Sequence, residues 1–327
     1  MTIRTVTLSP GFDHAVHVDH IEPGGMGKVH SWKEVAAGKG VNVARVAHHL
    51  GAPSVAYSLV GQPDEREFAS LIAEAGPRPV TVAVPGPTRR NLTLSVDSMG
   101  GAATHAVGAR LATGLDADAE QLLEILVDEV ELGDIVTLSG AVPEPIRSSI
   151  WVDAAVEARA RGAIIVADTQ GDALISLLAT GIVKMAKPNE DEARVLDVDG
   201  AERRNSESPA PVGSELMAAA AVRAMLAAGV ETPVVTLGAH GLVHVRDGSV
   251  VRSWCEIDRS RVHVGAGDAF VAGYCVAVLG TGALQGTPTD VGLAVASAHV
   301  AGATGDGLID ASVELLPRIQ RRSLSTT

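Results

Sequence analysis

Runs rich in β-branched residues alternate along this chain with runs of helical spacing, and that alternation decides the fold class. Candidate strands at Thr5–Leu8, Ser54–Val60, Ile135–Leu138, Ala163–Ala167, Ile182–Ala186 and Val234–Leu237 are interleaved with candidate helices. The helices fall at Gly40–Leu50, Asp64–Ala75, Asp116–Val130, Ile146–Arg161, Ser214–Ala228, Asp268–Leu279 and Asp290–Ala303. Strands separated by helices pair in parallel, and a parallel sheet needs cover on both faces. The pattern therefore predicts an α/β fold with a mostly parallel central sheet between two helical layers. Two segments break the rhythm, 15–35 and 91–107 with its Met99-Gly100-Gly101 turn, and both read as antiparallel strands joined by turn residues. Asp199 to Gly213, rich in Ser, Pro and charge, reads as an exposed loop, and no internal repeat is found.

Composition narrows the function. At 327 residues and 46% hydrophobic content the chain can fill one large α/β domain or two smaller ones. Only 2% of the residues are aromatic, so the core must rest on Ala, Val and Leu, which suits close helix-on-sheet packing more than a platform for stacking bases. The net charge of −13 argues against a nucleic-acid partner. Any anionic ligand must then be met by locally gathered positive groups, which singles out Lys28, Lys39, Arg45, Arg89 and Arg90. Cys255 and Cys275 cannot build a disulfide framework and read as ordinary apolar residues. The eleven histidines offer no metal-ligand spacing, since His48 and His49 are adjacent and point apart on a helix. No run approaches the roughly 20 apolar residues of a bilayer span. Nor does Met1-Thr2-Ile3-Arg4-Thr5-Val6 carry a basic region followed by an apolar stretch, so the expectation is a cytoplasmic protein without a membrane partner.

Chemistry concentrates at two glycine turns. In Arg261-Val262-His263-Val264-Gly265-Ala266-Gly267-Asp268 a glycine-rich turn feeds a carboxylate into a helix-spaced apolar run. Without Cβ atoms at Gly265 and Gly267, backbone N–H groups can close on a phosphate, and the following helix N-terminus attracts anions. Asp268 would then lie within reach of an attacking hydroxyl and take its proton, although such a turn by itself also fits an acidic helix cap. The second turn is Gly38-Lys39-Gly40-Val41-Asn42, where Val43, Ala47 and Leu50 repeat at helical spacing and Gly51 stands as a stop. Lys39 and Asn42 supply donors for an oxygen-rich ligand.

Together the two turns resemble the paired signatures of the phosphofructokinase-B family, in the ribokinase-like superfamily of sugar kinases. Four more segments are similar in the same order: Thr7-Leu8-Ser9-Pro10-Gly11-Phe12-Asp13, Thr88-Arg89-Arg90-Asn91, Lys187-Pro188-Asn189-Glu190-Asp191-Glu192 and Thr236-Leu237-Gly238-Ala239-His240-Gly241. Unaided, Asp13 in its Pro-Gly turn reads as a turn former, and Arg89 and Arg90 read as loop charges, although an arginine fork also matches a phosphate. Asn189 and Glu192, three apart after a proline, share one face of a helical turn and suit magnesium held jointly with substrate phosphates.

The resemblance implies one ribokinase-like kinase domain over 1–327, with a small β-sheet lid near 15–35 and 91–107 that closes over the sugar and can form a homodimer contact. It implies an ATP-dependent, Mg²⁺-requiring kinase of a phosphorylated ketohexose, fructose 1-phosphate before tagatose 6-phosphate or fructose 6-phosphate. A kinase of a free sugar or nucleoside, or a sensor without catalysis, stands further back. Asp13, Gly38, Asn42 and Ser139 would line the sugar site, and Arg89 with Lys39 or Lys28 would hold its phosphate. Asp268 would be the base, with the N–H groups of Gly265, Ala266, Gly267 and Asp268 around the transferred group. Asn189 and Glu192 would act on magnesium, through water or phosphate, and Asn189, Thr236, Gly238 and Gly241 would hold the nucleotide. Lys39 favours the fructose 1-phosphate and tagatose 6-phosphate kinases, whereas Ser9, Ala141 and His263 depart from the usual residues and blur the substrate. A dinucleotide-binding dehydrogenase would need Gly-x-Gly-x-x-Gly after the first strand, and Thr7–Asp13 holds a single glycine. A P-loop kinase would need Gly-x-x-x-x-Gly-Lys-Ser/Thr, which is lacking.

Overall fold

The computed structural model describes residues 1–22, 24–97, 103–109, 112, 114–196, 211–257 and 264–324. β1 (Ile3–Thr7) enters the middle of a large sheet, and β2 (Gly11–Val18) and β3 (Val29–Ala37) begin a separate small one. α1 (Lys39–His49) leads to β4 (Ser54–Gly61), and α2 (Glu65–Glu74) to β5 (Arg78–Val84), before β6 (Arg89–Val96) and β7 (Ala103–Ala106) join the small sheet. The chain returns through α3 (Asp116–Glu129) to β8 (Ile135–Ser139), then α4 (Ile150–Ala160), β9 (Ile164–Asp168), α5 (Gly171–Leu178) and β10 (Val183–Ala186). α6 (Glu190–Ala193) and α7 (Pro211–Ala227) precede β11 (Thr232–Thr236), β12 (Leu242–Arg246) and β13 (Ser249–Cys255). α8 (Ala266–Leu279), α9 (Pro288–Val300), α10 (Gly307–Leu315) and β14 (Ile319–Ser323) follow.

Among the described residues the large sheet runs β14-β13-β12-β11-β10-β9-β8-β1-β4-β5. The seven strands from β11 to β5 are parallel, and β12, β13 and β14 extend that edge antiparallel. The expected α/β architecture is thus present. Leu122, Trp151, Leu177 and Val222 of α3, α4, α5 and α7 pack on one face. Val43, Phe270, Val295 and Leu308 of α1, α8, α9 and α10 pack on the other. Ala154, Ala155 and Ala158 of α4, with Ala218, Ala219 and Ala221 of α7, are all buried, so small side chains supply much of the helix-on-sheet contact.

The direction of winding reverses at β1: β4 and β5 lie to one side, β8 to β11 to the other. Ligands of open α/β sheets bind at such a reversal, beyond the C-terminal ends of the strands. Register brings Thr7, Ser139 and Asp168 side by side at those ends.

Several sequence expectations need correction. The six expected strands are present with slightly shifted ends, but the helix expected from Ile146 starts at Ile150. The Arg147 N–H is committed to the Asp116 carboxylate, 2.7 Å away, instead of a helical ladder. The small sheet is longer than expected and only partly antiparallel: β2 pairs β3 antiparallel but β6 in parallel, and β6 pairs β7 antiparallel. Asp13 stands within β2, not in a turn, and Arg89 and Arg90 open β6, not a loop. Residues 199–210 and the Met99-Gly100-Gly101 turn lie outside the described residues, while α7 already begins at Pro211. No helix among the described residues is long and apolar enough to cross a membrane.

Candidate active site

Gly265 adopts the left-handed conformation (φ 85°) that lets the chain turn sharply into α8, and Asp268 is the third residue of that helix. The Ala269 N–H makes the first helical bond, 2.9 Å to the Gly265 carbonyl. The N–H groups of Ala266, Gly267 and Asp268 therefore precede the ladder and form an anion-attracting terminus. Asp268 is only 7% exposed. Burial, then the neighbouring Asp168 carboxylate, push its pKa up to about 6, against the Asn42 amide and the ammonium groups of Lys187 and Lys39. Asn42 Nδ2 donates to Asp268 Oδ2 at 2.8 Å.

Asn42 arrives from α1. A Cβ at Gly40 would lie 2.6 Å from Thr7 Oγ1 and one at Gly38 2.7 Å from Thr7 Cγ2, so these glycines let the helix start press onto the end of β1. The Val41 N–H donates to Thr7 Oγ1 at 3.2 Å across that contact.

Beside Asp268 lies an ion cluster. Lys39 Nζ sits 3.2 Å from Asp168 Oδ1 and 3.0 Å from Glu192 Oε1, and Lys187 Nζ 3.1 Å from the same Asp168 oxygen. Burial alone would raise the Asp168 pKa, but the Lys187 and Lys39 ammonium groups outweigh it and hold the carboxyl below its usual value. Asp168 Oδ2 is buried with no hydrogen-bond partner. A Cβ at Gly267 would meet Lys187 Nζ at 3.0 Å, so that ammonium abuts the anion-attracting turn.

Asn189 caps the short α6: its Oδ1 accepts from the Glu192 N–H at 2.9 Å, while Glu192 Oε2 accepts from the Asn189 N–H at 2.9 Å. Thr236 closes β11 beside it, its N–H bonded to Pro188 O at 3.1 Å, and the Gly238–Gly241 loop follows.

On the small sheet, Asn91 Nδ2 donates to Asp13 Oδ1 at 2.6 Å, and Arg89 pairs in register with Gly11, its Nη2 donating to Ser9 O at 3.0 Å. Ser139 is buried at the end of β8, bonded to Thr137 Oγ1 at 3.3 Å. Lys28 is exposed on the β2–β3 connection. Arg90 is committed elsewhere, over the Phe12 ring at 4.5 Å and 3.1 Å from Asp64.

Contacts join Lys39, Glu192 and Asn189 in one group and Asn42 with Asp268 in another, the two coupled electrostatically, and the observed partners of Lys39 are the carboxylates of Asp168 and Glu192. Sequence reasoning did not single out Asp168 or Lys187 as site residues. Both stand at or just past the C-terminal end of a parallel strand, β9 and β10, on the β8 side of the winding reversal, and that strand-end position was the available signal.

The sequence pattern of the pfkB family carbohydrate kinases matches residues 9–304. The chain belongs to this family. Its members are ATP-dependent sugar kinases, so the chain is a kinase with ATP as co-substrate. It is 30% identical over 279 residues to a 1-phosphofructokinase of Xanthomonas campestris pv. campestris, covering 84% of this chain and 83% of that protein. It is 29% identical over 269 residues to the ATP-dependent 6-phosphofructokinase isozyme 2 of Escherichia coli, covering 82% and 83%. The crystal structure of E. coli phosphofructokinase-2 in complex with fructose-6-phosphate superposes with a TM-score of 0.79 at 26% identity, over 96% of this chain and 98% of that one. A ribokinase from Thermotoga maritima, 20% identical, shares the fold with a TM-score of 0.64 over 95% and 98%.

Proposed function

We propose that this pfkB kinase phosphorylates a phosphorylated ketohexose, with fructose 1-phosphate, converted to fructose 1,6-bisphosphate, as its first substrate. One observation carries the phosphoryl-transfer part of the reading: a buried carboxylate, Asp268, with its pKa pushed up to about 6, on the first turn of a helix opened by a glycine turn. At neutral pH such a group is mostly ionised yet close enough to the working pH to accept a proton. Asp268 would orient the acceptor hydroxyl and take its proton as the oxygen attacks the γ-phosphorus. The new O–P bond forms, the bond to ADP breaks, and the proton ends on the Asp268 carboxyl. The N–H groups of Gly265 to Asp268, with the Lys187 ammonium, would stabilise charge on the transferred group.

Asp13 and the remaining N–H of the Asn42 amide would hold sugar hydroxyls, with Gly38 and Ser139 lining the same side. Arg89 would meet the phosphate already on the sugar, with Lys28 from the lid. Lys39 could help only by leaving Asp168 and Glu192. Thr236, Gly238 and Gly241 would line the nucleotide.

The residues present fit Mg²⁺. Among the described residues no three His, Cys, Asp or Glu side chains are grouped to cage a metal, but Asp168 keeps a buried oxygen without a partner and Glu192 lies beside it through Lys39. Two hard carboxylates completed by phosphate oxygens are a normal magnesium environment. Asp168 and Glu192 would hold the ion, with Asn189 fixing Glu192, and the ion would neutralise phosphate charge.

The relatives named 1-phosphofructokinase support fructose 1-phosphate, and the likeness to E. coli isozyme 2 keeps fructose 6-phosphate second, ahead of tagatose 6-phosphate. A coupled assay of these sugars with Mg-ATP tests the reading. Arg89→Ala should reduce kcat/KM for the preferred sugar phosphate by about 1.5–3 kcal/mol, the usual loss for a charge-assisted contact. Free fructose should be a poor substrate of both proteins and indifferent to the change. A wild-type preference for a free sugar or nucleoside, or equal weakening of all acceptors, would sink the phosphohexose assignment.

A homodimer through the lid belongs to the same proposal. Trp32 and Leu92 are 62% and 40% exposed, and by register they share one face of the small sheet with Val16 and Leu94. Sedimentation as a dimer, converted to monomer by Trp32→Glu, is the expected result; a wild-type monomer at micromolar concentration would remove the claim.

A further inference from the structure

Helix α1 carries a half-buried charge that the reaction scheme above leaves unused. Arg45 Nη2 donates to Asn42 Oδ1 at 2.8 Å, and Arg45 Nη1 donates to the Ala36 carbonyl at 3.2 Å. Asn42 in turn donates through Nδ2 to Asp268 at 2.8 Å. An amide side chain can exchange its oxygen and nitrogen by a half rotation with little change of shape. Arginine has no acceptor, so only Oδ1 can face it, and this sends Nδ2 to Asp268. The reversed amide would set oxygen against carboxylate and N–H against guanidinium, two repulsive contacts.

The guanidinium uses two different nitrogens for Asn42 and Ala36, a division of labour that lysine, with its single point charge, cannot reproduce. Ala36 lies in β3 and pairs with Phe12 of β2, so the second contact reaches the strand that continues into the lid. Burial lowers the Arg45 pKa from its usual value, and the carboxylates of Asp268 and Asp13 only partly offset it.

We propose that Arg45 is a positioning residue for phosphoryl transfer, holding the Asn42 amide in the orientation that donates to Asp268 and anchoring that lock to the lid strand at Ala36. The proposal rests on the reading of Asp268 as base. Arg45 need touch neither substrate nor nucleotide.

The test follows the Asp268 carboxyl carbon by ¹³C NMR in the full-length chain, assigned by its loss in Asp268→Asn. The other charged or titratable groups around Asp268 are Asp168 of β9, Lys187 beyond β10, Lys39 of α1 and, across the Gly265 turn, His299 of α9, and none is altered. Arg45→Met should move the titration midpoint of Asp268 upward, because the carboxylate loses an oriented donor. In an Asn42→Ala background the same change should move it far less. With the preferred sugar phosphate, Arg45→Met should lower kcat about tenfold and carry the acidic limb of the kcat profile to higher pH, while KM for ATP stays within twofold. Arg45→Lys, able to fill one contact at a time, should fall between, and it carries the test should Arg45→Met not fold.

An Asp268 midpoint and kcat unchanged at equal folded fraction overturn the proposal. A midpoint shift of full size in the Asn42→Ala background also overturns it, because the effect would then be direct charge and not the amide lock. The NMR arm needs no substrate, so a wild-type chain inactive on every sugar phosphate would overturn the functional reading while the titration still decides the role of Arg45.

Discussion

Asp268→Asn is expected to lower kcat by about 10²–10⁴ and, at the same time, to raise the stability of the chain at neutral pH. The loss of rate follows from removing a positioned base while keeping its shape. The gain follows from linkage. Because burial and Asp168 raise the carboxyl from 3.8 to about 6, the fold binds its protonated form better than the unfolded chain does. The native state then holds more protons between about pH 4 and 6, and stability falls as pH rises through that window. Above pH 6 the ionised group carries the full penalty, on the order of 3 kcal/mol for a shift of about two units. An amide has no such charge, and its oxygen can still accept from Asn42. Urea unfolding at pH 8 and pH 4 should show the variant more stable at the first and nearly equal at the second. Retention of more than about a tenth of wild-type turnover would refute the base assignment. The same protonation predicts that wild-type kcat/KM falls as pH drops below about 6.

Asp168→Ala should do the opposite to stability. Lys187, 3% exposed, and Lys39 both lean on this carboxylate, and breaking a buried ion pair by removing one partner costs about 3–5 kcal/mol. Here the folded pKa lies below the usual 3.8, so the contribution is present above that value and is lost as pH falls through the lowered one. The deficit should be large at pH 7 and shrink toward pH 3. A change below about 1 kcal/mol at pH 7 would mean that the lysines are solvated or paired without Asp168.

Two adjacent acids with opposite signs also mark the limit of sequence reading. Asp268 was legible because a local motif, Gly265-Ala266-Gly267, announces a helix start that favours anions. Asp168 has no such neighbourhood: in Ala167-Asp168-Thr169 it is one acid after a strand, and its partners Lys39 and Lys187 come from elsewhere in the chain. Lys39 shows the same blindness from the other side. Its place in a glycine turn suggested an anionic ligand, but its contacts with Asp168 and Glu192 span 129 and 153 residues. The central sheet was readable because period and turn residues are local properties. The parallel pairing of β2 with β6 was not, because two lid hairpins from distant segments give no period that reveals their relative direction.

That parallel seam has a consequence for ligand-dependent protection. The small sheet is two hairpins, β3-β2 and β6-β7, joined along one ladder that carries Asp13 on one strand and Arg89 on the other. Each hairpin is local, whereas the Asp13–Asn91 contact spans 78 residues, so parting the hairpins is the natural first opening of this layer. A molecule gripping Asp13 and Arg89 together acts as a staple across the seam. Its binding free energy then appears as slowed amide hydrogen exchange along β2 and β6, leaving the deep amides of β1 and β8 almost untouched.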